Sequence, residues 1–152
     1  MAPLIILFVT FGITYAVDRS LLGKRLGIAL IGRISMAAML LATGISHFTS
    51  TEAMVQMMPD AIPLKREAVY FTGICELLAI PGLLWKKSAR LTAVLLIVFF
   101  IAILPANIVG SFKHVDLGGM EYGPVYLFFR IPLQILFIAW VWYFGVRKPA
   151  VG

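Results

Sequence analysis

Five apolar runs, separated by short polar connectors, dominate the pattern of hydrophobic positions along the chain. Their bounds are Ala2–Val17, Leu26–Phe48, Ala68–Trp85, Leu91–Val109 and Pro124–Gly145. Because a helix rises about 1.5 Å per residue, the last four runs are long enough to cross about 30 Å of hydrocarbon. The pattern therefore predicts an all-α transmembrane bundle of four helices with one extra N-terminal helix. The first run is the shortest, and whether it spans the bilayer completely stays open.

Composition supports a membrane protein. Of the 152 residues, 61% are hydrophobic and 13% are charged, and a soluble domain of this size could not bury so much apolar surface. The net charge of +6 comes from basic residues at the ends of the apolar runs, so we expect membrane lipid and not nucleic acid as a partner. The single cysteine, Cys75, excludes an internal disulfide.

Basic residues also predict the orientation of the spans. With the N-terminus outside, eight basic residues lie on the inner side and three on the outer side. The inner set is Arg19, Lys24, Arg25, Lys86, Lys87, Arg90, Arg147 and Lys148, and the outer set is Lys65, Arg66 and Lys113. We predict an N-out, C-in protein of the bacterial inner membrane. Since no basic flank precedes the first run, we interpret it as an uncleaved anchor and not as a signal peptide.

The outer loop of residues 49–66 contains a predicted short helix. In "TSTE", Thr49 and Glu52 have the spacing of a capping box, with Thr49 as the N-cap. The methionines that follow, Met54, Met57 and Met58, would face the membrane from an amphipathic surface helix. An interfacial connector is the favoured interpretation, and a functional lid is the alternative.

Polar residues inside four of the apolar runs are expected to meet in the outer half of the bundle. They are His47, Glu76, Asn107, Arg130 and Gln134. A carboxylate in hydrocarbon costs about 2.5–3.5 kcal/mol on insertion scales, so Glu76 needs a partner. We expect that partner to be Arg130. Arg33 either reaches up to the same carboxylate or, as favoured, extends its side chain to the inner surface.

Three prolines interrupt the predicted spans at Pro81, Pro105 and Pro132. Each removes one helical N–H and frees the carbonyl four residues earlier, and a freed carbonyl at membrane depth needs a protein partner or a cavity. Because two of these prolines flank Asn107 and Arg130, the pattern predicts a pocket in the outer half, with the three prolines in structural roles.

A structural interpretation of the same residues stays open. Asn107 and Gln134 fit interhelical hydrogen bonds better than ligand contacts, and His47 is close enough to the interface to bond a loop or a lipid headgroup. The outer-loop residues His114, Asp116 and Glu121 have no metal-binding spacing, so no metal site is predicted.

Several segments together resemble the DoxX-like family of small membrane proteins. They are "RISMAAMLLATGISHF", "MMPDAIP", "FTGICELLAIPGLL", "FFIAILPANI" and "FRIPLQILFIAWVW". The resemblance covers about residues 28–145. It implies a four-helix membrane domain over residues 26–152, preceded by an extra helix and inner loop over residues 1–25. Members of that family are associated with oxidation systems that feed quinones, which suggests a redox or transport complex as a partner.

Three functional hypotheses follow. In the leading one, the protein is not an enzyme and binds a quinone or a lipid through Glu76, Arg130, His47, Asn107 and Gln134, as an accessory subunit of a larger complex. In the second, it is a membrane enzyme in which Glu76 acts as acid or base. In the third, it is a structural subunit held together by its polar residues. No cofactor motif is recognisable, and a homo-oligomer is compatible with each hypothesis.

Overall fold

The computed structural model describes residues 2–147, and this part of the chain is helical without a strand. The α-helices are α1 Ala2–Ser20, α2 Ile28–Thr49, α3 Thr51–Gln56, α4 Lys65–Leu84, α5 Ala89–Phe112 and α6 Leu127–Val141. A 3₁₀ segment, Met120–Tyr126, leads into α6, and a π-helical segment, Trp142–Arg147, continues it. The predicted all-α class is confirmed.

Five helical stretches are long and apolar enough to cross a membrane. They are Ala2–Ser20, Ile28–Thr49, Lys65–Leu84, Ala89–Phe112 and Met120–Arg147. Each corresponds to one predicted apolar run, with ends that differ by a few residues because polar residues at the ends of a run also continue the helix. The first stretch has 19 residues, so it is longer than the predicted run that ended at Val17. These lengths are those expected of an integral membrane protein.

The helix α2 lies at the centre of the bundle and packs most closely against α4. Two glycines make this contact possible. A Cβ atom on Gly73 would lie 2.6 Å from the Cβ atom of His47, and one on Gly44 would lie 2.8 Å from Cδ2 of Leu77. Small residues at a helix interface let the backbones approach closely. As a result, the polar faces of α2 and α4 are held directly against each other.

The first helix shares its core with the rest of the bundle. Leu7 of α1 is fully buried and belongs to the same apolar cluster as Leu40 of α2 and Phe137 of α6. Phe11 makes an edge contact with the ring of Trp140, whose Nε1 donates to the carbonyl oxygen of Gly32 at 2.9 Å. Although the sequence suggests an added helix before residue 26, α1 is therefore part of one packed unit.

The connectors 50–64 and 113–126 lie at one end of the bundle, which we call the cap end. The predicted capping box is not formed there. Thr49 is still the last residue of α2, and Ser50 precedes α3 without a side-chain capping bond. Glu52 instead pairs with Arg66 of α4, and Thr51 donates to the carbonyl oxygen of His47 at 2.7 Å. Because α2 continues to Thr49, this residue is not available as the N-cap of α3.

Asp60 joins the cap connector to two helices. Its Oδ1 accepts hydrogen bonds from Lys65 of α4 at 2.8 Å and from Lys113, just after α5, at 2.9 Å. The hydrogen bonds from Lys65 and Lys113, together with their positive charges, lower the pKa of Asp60 to about 2. The connector is thereby tied to both helices by charge-assisted bonds.

Arg33 is buried at the opposite end of the bundle. Its Nη1 lies 3.4 Å from the carbonyl oxygen of Leu83, and its Nε lies 3.3 Å from that of Ala29. Only 4% of the residue is exposed. The expected extension to the inner surface is therefore wrong, and the alternative contact with Glu76 is not formed either. The carbonyl groups of Leu83, near the end of α4, and of Ala29, in α2, supply the acceptors that the guanidinium would otherwise find in water.

Candidate functional site

A cavity of about 380 Å³ lies under the cap end, between the helices and the two connectors. Residues of α1, α2, α4, α5 and α6 all contribute to its walls, which are mainly apolar. The apolar lining includes Ile6, Ala42, Met54, Met57, Met58, Val69, Ile103, Ala106, Met120, Phe129 and Leu133. Its volume falls in the range of about 300–1,000 Å³ that is usual for small-molecule sites.

Four of the five residues predicted from the sequence to bind a ligand line this cavity. They are His47, Glu76, Asn107 and Arg130. Gln134 is not part of the lining. Polar groups from four helices therefore converge on one apolar space, at the end of the bundle where the sequence placed them.

Glu76 is buried and already has two partners from α2. Its Oε2 accepts a hydrogen bond from the Thr43 hydroxyl at 2.5 Å, and its Oε1 lies 3.6 Å from Nε2 of His47. Thr43 and His47 are four residues apart and so lie on the same face of α2. Because Gly73 lets α4 approach this face, the carboxylate is within reach of both side chains.

The imidazole of His47 is oriented by α4. Its Nδ1 lies 3.0 Å from the carbonyl oxygen of Val69 and 3.2 Å from the hydroxyl oxygen of Thr72. A carbonyl oxygen can only accept, and the Thr72 hydroxyl itself donates to Val69 at 2.8 Å. Nδ1 therefore carries the proton in this arrangement, and Nε2 is the nitrogen that faces Glu76.

Arg130 lies in the cavity wall without a bonded partner. Its guanidinium makes no hydrogen bond and no ion pair within 4.0 Å to any residue in the range 2–147, and its Nε is buried. The direct Glu76–Arg130 pair that the sequence predicts is therefore not formed. Thr43 and His47 contact the Glu76 carboxylate because α4 packs directly on α2, whereas Arg130 belongs to α6. Arg130 is still close enough to attract the Glu76 carboxylate electrostatically.

The two amides bond to backbone carbonyl groups, Asn107 within its own helix and Gln134 between two helices. Asn107 is buried and its Nδ2 donates to the carbonyl oxygen of Ile103 at 2.9 Å, one turn earlier in α5. Gln134 donates through Nε2 to the carbonyl oxygen of Phe100 at 2.5 Å, which joins α6 to α5. Gln134 lies one turn deeper than Arg130 and therefore reaches α5 below the cavity. For Gln134 this bond agrees with the interhelical contact that the sequence favoured over its alternative, a ligand contact.

The cap connector forms one wall of the cavity. The side chains of Met54, Met57 and Met58 line the space, together with Met120 from the second connector. The methionines that were expected to face the membrane therefore line the cavity. Methionine is flexible and polarisable, so such a wall can adapt to ligands of different shapes.

The three prolines do not line the cavity. Pro81, Pro105 and Pro132 are all exposed, and the helices α4, α5 and α6 continue through them. Their side chains therefore face outward, where lipid would lie. They indicated the correct end of the bundle only because Pro105 and Pro132 are close in sequence to Asn107 and Arg130.

Sequence analysis missed two hydroxyl groups of the site and one aromatic residue. Thr43 binds Glu76, Thr72 contacts His47, and Tyr126 lines the cavity. The spacing contained a signal for the threonines, since Thr43 and His47 on one helix and Thr72 and Glu76 on the other are both four residues apart. Tyr126 is the last residue of the 3₁₀ segment, whose course no hydrophobic period reveals.

Comparison with known proteins shows a family match. The model of a family described as a domain of unknown function (DUF8561) matches residues 36–145, which is more than two thirds of the chain. The matched range contains every polar cavity residue named above, whereas α1 lies outside it. No curated protein and no solved structure matches the chain.

Proposed function

The chain belongs to the family described as a domain of unknown function (DUF8561), and we propose that it binds a small apolar or amphipathic molecule in the cavity under the cap. In this proposal it is a non-catalytic membrane protein, and a quinone or a lipid is the class of ligand. Ligand pockets are typically apolar with a few convergent polar groups, which is the composition of this cavity.

The observation that carries the proposal is the unbonded guanidinium of Arg130. Its Nε is buried without a hydrogen-bond partner, and leaving such a donor unpaired costs about 1–3 kcal/mol, so it marks a place where a group outside the chain is expected. Asn107 bonds within α5. Gln134 bonds to α5 through Nε2 and has a buried Oε1 without a partner among the described residues, but it does not line the cavity. Arg130 does not have such a partner among the described residues, which favours a ligand site over a purely structural cluster.

The test is to identify what remains bound after gentle extraction. The protein is extracted into polymer nanodiscs without detergent, and small molecules are identified by mass spectrometry. Ala106 lines the cavity, so Ala106→Phe should fill it and release the bound molecule. Ala102 is exposed on the same helix, so Ala102→Phe is the matched control and should retain the molecule. Equal retention by both variants, or no molecule above the lipid background, would contradict the proposal.

An enzymatic role is the second candidate, and the contact between His47 and Glu76 favours it. A carboxylate next to an imidazole can transfer a proton to or from a bound molecule. If the molecule identified above is converted by the protein, Glu76→Gln should abolish turnover while binding persists. Unchanged turnover in that variant would exclude this role for Glu76.

Orientation and partners are further parts of the proposal. The basic residues favour an N-out, C-in arrangement in a bacterial inner membrane, although Lys148 lies outside the described residues. This orientation places the cap end outside, and single cysteines can test it. In a Cys75→Ala background, a membrane-impermeant thiol reagent should label Asp60→Cys but not Lys86→Cys in intact cells. The reverse labelling would contradict the orientation.

The resemblance to DoxX-like proteins supports an accessory role in a redox or transport complex, and that resemblance stays a prediction. Mild cross-linking followed by mass spectrometry of the purified membranes tests it. A membrane redox or transport protein cross-linked to this chain would support the accessory role. Cross-links only between copies of this chain would favour a homo-oligomer instead.

A further inference from the structure

The charges that line the cavity point to the chemical class of its ligand. The ionisable residues in the lining are His47, Glu76, Tyr126 and Arg130. Among the described residues, no other Lys or Arg contributes to the wall. Which charge in the wall lacks a direct partner therefore depends on whether Glu76 contacts Arg130 or His47.

The geometry indicates that Glu76 is in contact with His47 and not with Arg130. The proton on Nδ1 of His47 is directed at the carbonyl oxygen of Val69, which leaves Nε2 facing Oε1 of Glu76. The other oxygen of this carboxyl group, Oε2, accepts a hydrogen bond from the Thr43 hydroxyl at 2.5 Å, so each oxygen has a neighbour on α2. The Glu76 carboxyl group is therefore engaged by side chains of α2, and it makes no ion pair with Arg130.

Arg130 is then a positive charge without a directly bonded anion in a mostly apolar cavity. Tyr126 is neutral at pH 7, and its hydroxyl group makes no hydrogen bond to another residue of the range 2–147. A guanidinium prefers planar, bidentate contacts with carboxylate or phosphate oxygens. The Arg130 guanidinium and the Tyr126 hydroxyl group can therefore both donate hydrogen bonds to the anionic head of a ligand.

We propose that the ligand is an amphiphile with one acidic head and a single apolar chain. Its carboxylate or phosphate would bind Arg130 and the Tyr126 hydroxyl, and its chain would lie against the methionines of the cap connector. The cavity of about 380 Å³ is at the small end of the usual range of about 300–1,000 Å³, which favours one chain over two. This inference rests on the proposed function and narrows the ligand class within it.

The test compares an acid with its neutral ester. Binding of ¹³C-carbonyl-labelled dodecanoate and of methyl dodecanoate is measured by NMR titration of the full protein in zwitterionic nanodiscs, with empty nanodiscs subtracted. We expect the acid to bind roughly 10- to 100-fold more tightly than the ester, as a charge-assisted hydrogen bond implies. Dodecyl phosphate forms a third arm, and the tighter of the two acids identifies a carboxylate or a phosphate head.

Variants assign the effect to the guanidinium. Arg130→Met should weaken dodecanoate binding to the level of the ester, and Arg130→Lys should restore part of it because the charge remains. Arg90→Met changes an exposed arginine away from the cavity and should leave binding unchanged. The comparison of acid and ester in the unmodified protein does not depend on the folding of any variant.

The outcomes separate this inference from the proposed function. Equal binding of acid and ester would overturn the acidic class but leave a cavity that binds amphiphiles. If neither compound binds and nanodisc extraction also yields no molecule, both proposals are overturned. Tight binding of the acid that persists in Arg130→Met would place the head elsewhere and would also overturn the inference.

Discussion

The hydrogen bond between Thr43 and Glu76 is the shortest polar contact of the cavity and gives the sharpest test of its structure. Thr43→Val keeps the shape of the side chain but removes the hydroxyl that donates to Oε2 of Glu76 at 2.5 Å. Thr43 and Glu76 belong to α2 and α4, so the bond joins two helices. Losing it should weaken their association.

The expected magnitude follows from the charge of the acceptor and the membrane setting. Interhelical hydrogen bonds in a membrane protein average about 0.6 kcal/mol and reach about 1.7 kcal/mol in double-mutant cycles. Hydrogen bonds to charged groups contribute about 1.5–3 kcal/mol. Because Glu76 is buried and acts as a carboxyl acceptor, we expect a coupling energy of about 1–2 kcal/mol between the two side chains.

The assay is a double-mutant cycle of unfolding free energies. Thr43→Val, Glu76→Met and the double variant are unfolded by sodium dodecyl sulfate in mixed micelles, and helix content is followed by circular dichroism. Ser46→Ala is the matched control, since its hydroxyl lines the same cavity but donates to the carbonyl oxygen of Thr43. Ser46→Ala and Glu76→Met should be additive within about 0.5 kcal/mol.

A Thr43–Glu76 coupling below about 0.5 kcal/mol would refute the reasoning, because it would equal the error of additivity for independent sites. A coupling of similar size for Ser46 would also refute it. In that case the energy would come from general packing of α2 and not from the hydroxyl group.

Three further changes have definite expected results. Gly73→Ala brings a Cβ within 2.6 Å of His47 and should cost about 1–3 kcal/mol of unfolding free energy, whereas Gly12→Ala meets nothing within 4 Å and should not destabilise. Asp60→Asn should speed hydrogen exchange of residues 57–64 at pH 7 but not below pH 2. Because the pKa of Asp60 is lowered, the stabilisation by its ion pairs is complete above about pH 3.8 and is lost as the pH falls through about 2. Equal effects of the substitution at both pH values would contradict this. Arg33→Met should leave the unfolding free energy unchanged or raise it by about 1 kcal/mol, since no described acid pairs with Arg33, and a clear loss in the detergent titration would contradict this.

The sequence predicted the helices and the end of the bundle that holds the cavity, because both follow from the positions of apolar and polar residues along the chain. His47, Glu76, Asn107 and Arg130 were placed at a common depth by counting residues from the helix ends. Depth along the bundle axis was sufficient to predict that four of the five residues line one cavity.

The sequence could not predict which polar groups would bond to each other. Depth does not specify how far each helix is rotated about its axis, and the Glu76 partner depends on that rotation. Gly73 brings α4 onto the face of α2 that carries Thr43 and His47, and this decides against Arg130. Arg33 was misjudged for a similar reason, since a carbonyl group of α4 lay within its reach.

The methionines in the wall of the cavity also make the protein sensitive to peroxide. Oxidation of Met54, Met57, Met58 or Met120 to the sulfoxide turns a flexible apolar side chain into a polar one. Four such side chains line a single space, so damage to any of them alters the surface that a bound chain would contact. Protein stored without oxygen and protein aged in air should therefore differ in how they bind a ligand in this cavity.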